Sequence, residues 1–216
     1  MITLYDYLPS GNGYKPRLLL HLLGIEYTRV LVDFHPERAH KHADFLALNP
    51  LGQIPVLVDG DLVLRDAQAI LVYLAQRYDP GRTWHPADAV CAGKIAMWLA
   101  FADSLTATVS TARLHDAMFF EADAARARAG AHRLLRVLDE HLWFAEREGA
   151  DWLVGPGAPT IADIACFPYV MLSEEGGIPR EDYPAVRRWT DRFRHIPGFI
   201  AMPGMFEDHE PAMMTP

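Results

Sequence analysis

The apolar pattern changes period several times along the first part of the chain. Ile2 to Tyr5 is a short apolar and β-favouring run that predicts a strand, and Pro9-Ser10-Gly11-Asn12-Gly13 breaks it. Leu18, Leu19, Leu22 and Leu23 then recur at helical spacing up to Gly24, with Pro16 expected near the helix start, where a missing N–H costs little. Tyr27 to Val32 predicts a second strand, and Ala43 to Leu48 a helix after a polar segment holding Pro36-Glu37-Arg38. Ile54 to Val58 reads as a third strand, Asp59-Gly60 as a hairpin turn, Leu62 to Leu64 as a fourth strand and Ala67 to Gln76 as a helix. The order is β-α-β-α-β-β-α, the content of one small α/β domain.

Past Asp79-Pro80-Gly81-Arg82 and His85-Pro86 the strand signals vanish. Ala87 to Leu114 and Ala122 to Glu148 carry apolar residues at helical spacing, with Trp98, Phe101 and Leu105 as one stripe and Leu134, Leu135, Leu138 and Leu142 as another. Thr160-Ile161-Ala162-Asp163 has the form of a capping box, with Thr160 accepting the Asp163 N–H at the head of an apolar helix through Phe167 and Tyr169. Pro184 to Arg194 is a further helix, and the tail from Met205 on has no periodicity and is expected to wrap loosely. Two domains follow, residues 1–80 and 86–216.

Composition mainly excludes. A net charge of -8 argues against nucleic acid as partner. The start, Met1-Ile2-Thr3-Leu4-Tyr5-Asp6, lacks a positive leader with an apolar core, and no stretch reads as apolar for long enough to cross a bilayer, so a cytoplasmic protein with no membrane partner is expected. Cys91 and Cys166 form no C-x-x-C and are expected to be buried as small apolar residues. Ten histidines include no H-x-x-x-H or H-E-x-x-H pair, so no metal is expected.

The stretch Asn49-Pro50-Leu51-Gly52-Gln53-Ile54-Pro55 bears on chemistry. Pro55 cannot donate to a ladder and its peptide bond can be cis, so by itself the stretch reads as an edge strand opening on proline, with the Ile54 backbone freed for another partner. Together with Ser10-Gly11-Asn12, the segment Asp66-Ala67-Gln68-Ala69-Ile70-Leu71-Val72-Tyr73-Leu74, and Thr160 to Asp163, in this order on this two-domain plan, it resembles the glutathione transferase superfamily in its bacterial, serine-type, cytosolic form. The resemblance covers nearly the whole chain. It implies an α/β thioredoxin-like N-terminal domain, an all-helical C-terminal domain, a homodimer, and glutathione as co-substrate. The implied reaction conjugates the glutathione thiolate to a small hydrophobic electrophile.

In that family the proline opening the third strand is cis, and the residue before it pairs with the peptide as an added strand does. The resemblance therefore implies that Ile54, beside Pro55, offers its N–H and C=O, and that Gln53 bonds polar atoms of the peptide. His40 and Lys41 match positions that hold the glycine carboxylate, with a solvated loop as their ordinary alternative. Asp66 and Ala67 match the acidic-serine pair that takes the γ-glutamyl end at a helix N-terminus. Ala67 lacks the usual hydroxyl, and one lost bond to a charged group costs about 1.5–3 kcal/mol.

The resemblance also implies that Ser10 donates to the glutathione sulfur with Asn12 in support. A free thiol has a pKa of about 8.5, and lowering it by about two units is worth roughly 2.7 kcal/mol. A plain helix cap is the alternative for Ser10, and Tyr5 and Tyr7 are its rivals. Gly13 stands where related sequences often carry cysteine. The electrophile pocket is implied between the Tyr7 to Asn12 loop and the long helix, with Tyr7, Trp98, Ala102, Thr106, Arg113 and Phe119 as lining, joined by Asp103, Met118 and Phe120. Arg113 has pairing with Asp116 as its alternative. Two other functions stay open: a non-catalytic glutathione-binding module, and glutathione-dependent reduction of disulfides or peroxides.

Overall fold

The computed structural model describes residues 1–205, so the expected loose tail beyond Met205 lies outside the described residues. Four strands form one mixed sheet in the order β2-β1-β3-β4, from β1 (Ile2–Asp6), β2 (Tyr27–Leu31), β3 (Val56–Asp59) and β4 (Leu62–Arg65). β1 runs parallel to β2 and antiparallel to β3, and β3 is antiparallel to β4. The fold is thioredoxin-like, and among the described residues every regular element after it is helical.

Alternation decides the faces. In β1 the buried positions are Ile2, Leu4 and Asp6, which meet α1 (Gly11–Leu22) and α3 (Ala67–Tyr78) across a core containing Leu18, Leu19, Ile70 and Leu71. The opposite face is thinner, with α2 (Ala43–Leu48) bringing Phe45 against Val32 and Val56. β3 is not the edge strand that a proline start suggested. It begins one residue after Pro55 and is paired on both sides, so Ile54 and Pro55 lie outside the ladder and the edges are β2 and β4. The Ile54–Pro55 bond is cis. Pro16 also differs from expectation: it sits in the α1 interior and leaves the Asn12 carbonyl without the usual donor four residues on.

The helical part comprises α4 (Ala89–Leu105), α5 (Thr111–Met118), α6 (Ala124–Arg147), α7 (Ile161–Met171) and α8 (Pro184–Arg194). The run expected from Ala87 to Leu114 is divided: Thr106–Ser110 between α4 and α5 is a π-helical turn. The whole run Ala89–Met118 is long and apolar enough by length and composition to span a bilayer, which corrects the reading that no stretch is; its alanines raise its hydropathy, and it packs along α7 and α6.

α7 is the central helix, with every residue buried. Both reciprocal halves of its capping box form, and Thr160 Oγ1 also accepts the Ala162 N–H at 3.2 Å. The fully buried Asp163 carboxylate accepts from the Thr160 N–H at 2.9 Å, the Leu153 N–H at 3.1 Å and Trp189 Nε1 at 2.9 Å. Cys166 is buried on the same helix, whereas Cys91, expected to be buried, is only half-buried in the first turn of α4, where the run still faces outward.

Candidate active site

Ser10 caps α1: its Oγ accepts the Gly13 N–H at 3.1 Å, which leaves its own hydroxyl proton free to point elsewhere. The turn before it closes through Ser10 N–H to Tyr7 O at 2.8 Å. A Cβ built at Gly13 would overlap Asp6 Oδ1, so a cysteine cannot enter there while Asp6 and Arg17 keep their buried 3.0 Å pair. Asn12 faces the helical part, where Thr106 Oγ1 donates to its Oδ1 at 3.4 Å.

The second contribution comes from the turn before β3. Buried Asn49 braces it, donating Nδ2 to Gln53 O at 2.7 Å and accepting the Leu51 N–H at 3.1 Å. That bracing presents Gln53 and the unladdered Ile54. Lys41 Nζ donates to Gly52 O at 2.8 Å and Leu51 O at 3.2 Å, so its ammonium lies over the same turn. His40 is buried and stacks on Phe34 with ring centroids 4.2 Å apart, and burial, then the nearby Lys41, Arg38 and His42, hold its imidazole below the usual range.

The third is the head of α3. Asp66 accepts the Ala69 N–H at 2.9 Å as N-cap and has φ of 79°, a left-handed value rare outside glycine that costs about 1–3 kcal/mol. Ala67 is buried in the first turn, where helix N–H groups have no internal partner. Asp103 on α4 faces this end and accepts from Gln68 Nε2, and burial, then Asp66, pushes its carboxyl up. Behind it Gln68 accepts from the fully buried Lys15 Nζ at 3.4 Å, whose pKa burial lowers to about 8.

All three open on one cleft of about 530 Å³. Of the expected residues, Tyr7, Ser10, Asn12, His40, Lys41, Gln53, Ile54, Pro55, Asp66, Ala67, Asp103, Thr106, Arg113, Met118 and Phe120 line it. Three do not. Trp98 is buried against Phe101 and His141, and Ala102 is fully buried, both on the core face of α4. Phe119 points out at 89 % exposure with φ of 57°, and its neighbour Phe120 turns in instead. Tyr5 packs on Phe45 on the far side of the sheet. Arg113 does not pair with Asp116, which is taken by Arg128 and His115; it bonds Glu175 and Pro9 O.

Sequence reasoning missed Phe34, Arg38, Ala107, Ser110, Leu114 and Tyr169. Phe34 lies 5.7 Å from Tyr7 and 5.9 Å from Phe120 between ring centroids, making an aromatic lobe at one end of the cleft. Asp103, Ala107, Ser110 and Leu114 follow helical spacing and form the wall. Tyr169 is buried in α7, where its phenol meets the Asn12 backbone N–H and the Ser110 side chain, and burial raises its pKa. No group of three or more His, Cys, Asp or Glu side chains suited to a metal occurs among the described residues.

Comparison with known proteins agrees with this geometry. The family model for the glutathione S-transferase N-terminal domain matches residues 1–76, and that for the C-terminal domain matches residues 97–197. The glutathione S-transferase-like protein tpcF of Aspergillus fumigatus is 30% identical over 217 residues, covering 91% of this chain and 92% of that protein. A glutathione S-transferase from Xanthobacter autotrophicus superposes with a TM-score of 0.82 at 33% identity, over 95% of this chain and 98% of that one. A glutathione transferase homologue from Lodderomyces elongisporus, with two glutathiones per subunit, has a TM-score of 0.81 at 27% identity, over 91% and 94%.

Proposed function

The chain belongs to the glutathione S-transferase family, and from that premise we propose that it conjugates the thiolate of glutathione to a hydrophobic electrophile. The observation that carries this is convergence: the capped α1 head with Ser10, the Ile54 backbone outside the ladder, and the α3 head with Asp66 and Ala67 share one cleft.

The peptide's cysteinyl part pairs with the Ile54 N–H and C=O, and Gln53 bonds its polar atoms. Its γ-glutamyl carboxylate sits on the α3 N-terminus, where Ala67 offers its N–H but no hydroxyl, and its ammonium faces Asp66, with the Asp103 carboxyl lining the same end. His40 and Lys41 flank the glycine end.

Ser10 donates its hydroxyl proton to the sulfur, helped by the positive end of α1, while Asn12 steadies the loop. The thiolate then forms a C–S bond to the electrophilic carbon, and either the leaving group departs with its bonding pair or, in an addition, the π pair of the attacked double bond moves to the adjoining atom, which takes a proton. The acceptor occupies the lobe of Tyr7, Phe34, Leu114, Met118 and Phe120. Copies pair into a cytoplasmic homodimer of two-domain subunits, residues 1–80 and 86–216. The pairing is supported by exposed Leu62 and Val63 on β4, Met97 on α4 and Val137 on α6.

Calorimetric titration with glutathione, followed by conjugation of a chlorinated nitroaromatic, tests the reading. Binding with turnover supports it, binding without turnover leaves a non-catalytic module, and no binding at millimolar glutathione sinks both. A second reading, reduction of a disulfide by two glutathiones to give oxidised glutathione, needs no cysteine from the protein and is favoured by a relative with two glutathiones per subunit. A disulfide reductase assay separates the two.

A further inference from the structure

We propose that Arg113, paired with Glu175, is a positioning residue through which the helical domain sets the placement of Ser10. The proposal rests on the reading of Ser10 given above. Between Tyr7 and Ser10 the turn leaves two carbonyls facing outward, and each is taken by a buried arginine. Arg17 Nη2 donates to Leu8 O at 2.9 Å, and Arg113 Nη1 donates to Pro9 O at 2.7 Å. The two come from opposite sides. Arg17 lies on α1 and is paired with Asp6 at 3.0 Å, so it moves with the sheet. Arg113 lies on α5, across the cleft, and its Nε bonds the Glu175 carboxylate.

Planarity makes the second contact matter for Ser10. The Pro9 carbonyl and the Ser10 N–H belong to one rigid peptide unit. With the carbonyl on Arg113 and the N–H on Tyr7 O, that unit is held at both ends, and Ser10 Cα is fixed at its edge. Arg113 is 6% exposed, and burying a guanidinium that deep is costly unless its N–H groups meet acceptors. Glu175 supplies one from the short turn Glu174–Gly176, which packs on α5 closely enough that a Cβ on Gly176 would come 2.9 Å from Arg113 N. The chain thereby ties the peptide unit that carries its proposed thiol-activating residue to a fork 104 positions from Pro9 in sequence.

The experiment compares Arg113→Met, Arg113→Lys and Glu175→Gln with wild type, using Arg180→Met, which removes the neighbouring Arg180–Glu174 pair, as control. Hydrogen exchange over residues 7–14 is measured without ligand, and kcat and glutathione KM are measured with it. Arg113→Met is expected to speed exchange over residues 7–14 at least about tenfold. Its kcat is expected to fall by about a hundredfold, while KM stays within about twofold because the Ile54 and Asp66 contacts are untouched. Arg113→Lys, which keeps the charge and loses the fork, should recover part of both, and Arg180→Met should leave exchange and kcat at wild-type values. A folded Arg113→Met protein with unchanged exchange and kcat overturns the proposal. Should Arg113→Met not fold, Glu175→Gln decides, faster exchange supporting and unchanged exchange overturning. If wild type shows no glutathione chemistry, the reading of Ser10 falls, and exchange still decides whether the clamp exists.

Discussion

The sheet-side wall of the cleft is held by contacts local in sequence, and the helix-side wall by the packing of elements far apart in it. On the sheet side the unladdered Ile54 backbone and the first turns of α1 and α3 are held by Ser10, Asn49 and Asp66 within a few residues of the groups they hold, beside the side chains of Tyr7, Phe34, His40 and Gln53. On the helix side, Asp103, Thr106, Ser110 and Leu114 depend on how one long helix is turned, and that helix is turned by packing on α7. A locally held wall tolerates changes elsewhere in the chain, whereas a wall set by distant packing is rewritten by single substitutions. The first suits an invariant peptide and the second a variable acceptor.

Removing the support of the helix-side wall should have the largest effect. Asp163→Ala orphans the buried donors on Thr160, Leu153 and Trp189, and is expected to cost about 4 kcal/mol in urea unfolding. A loss under about 1 kcal/mol would mean that α7 is not organised by this carboxylate. On the sheet side, Ala67→Ser places a hydroxyl beside the proposed γ-glutamyl position and should tighten glutathione at least about tenfold by calorimetry. No gain would show that the α3 N–H groups already hold that carboxylate without a hydroxyl.

Sharpening the contrast needs a pair. Phe120→Ala should lower kcat/KM for an aromatic electrophile by about tenfold with glutathione KM unchanged, while Phe119→Ala, at an 89 % exposed position, should change neither. The smallest effect lies behind both walls. Lys15 titrates near 8 when folded and 10.5 when unfolded, so the unfolded chain binds more protons between those values and stability rises with pH there. The buried Cys166 thiol, raised from 9.0, opposes it above that pH. A gain of about 1 kcal/mol from pH 8 to 9 is expected in denaturant titrations, and Lys15→Met should flatten it.

The contrast also explains what was legible in the sequence. Caps, glycines and prolines act locally, so the β-α-β-α-β-β-α order, the cap at Ser10 and the break before β3 could be read from the residues themselves. The place of β3 in the sheet could not, because pairing is set by β1 and β4, and a proline just outside a ladder looks the same as one on an edge. The π turn at Thr106–Ser110 has no local signal. The stripe of Trp98, Ala102 and Leu105 is core, so a pocket drawn on it misplaces Trp98 and Ala102. Tyr169 was hidden in a helix apolar all round, and Arg113 has its partners at Pro9 and Glu175, far away in sequence.

The most direct test titrates the thiol of bound glutathione by its ultraviolet thiolate absorbance in wild type and Ser10→Ala. The expected result is a wild-type pKa about two units below that of free glutathione and a Ser10→Ala value near the free one, with glutathione still bound through the sheet-side wall. Equal pKa values in the two proteins would contradict the role given to Ser10.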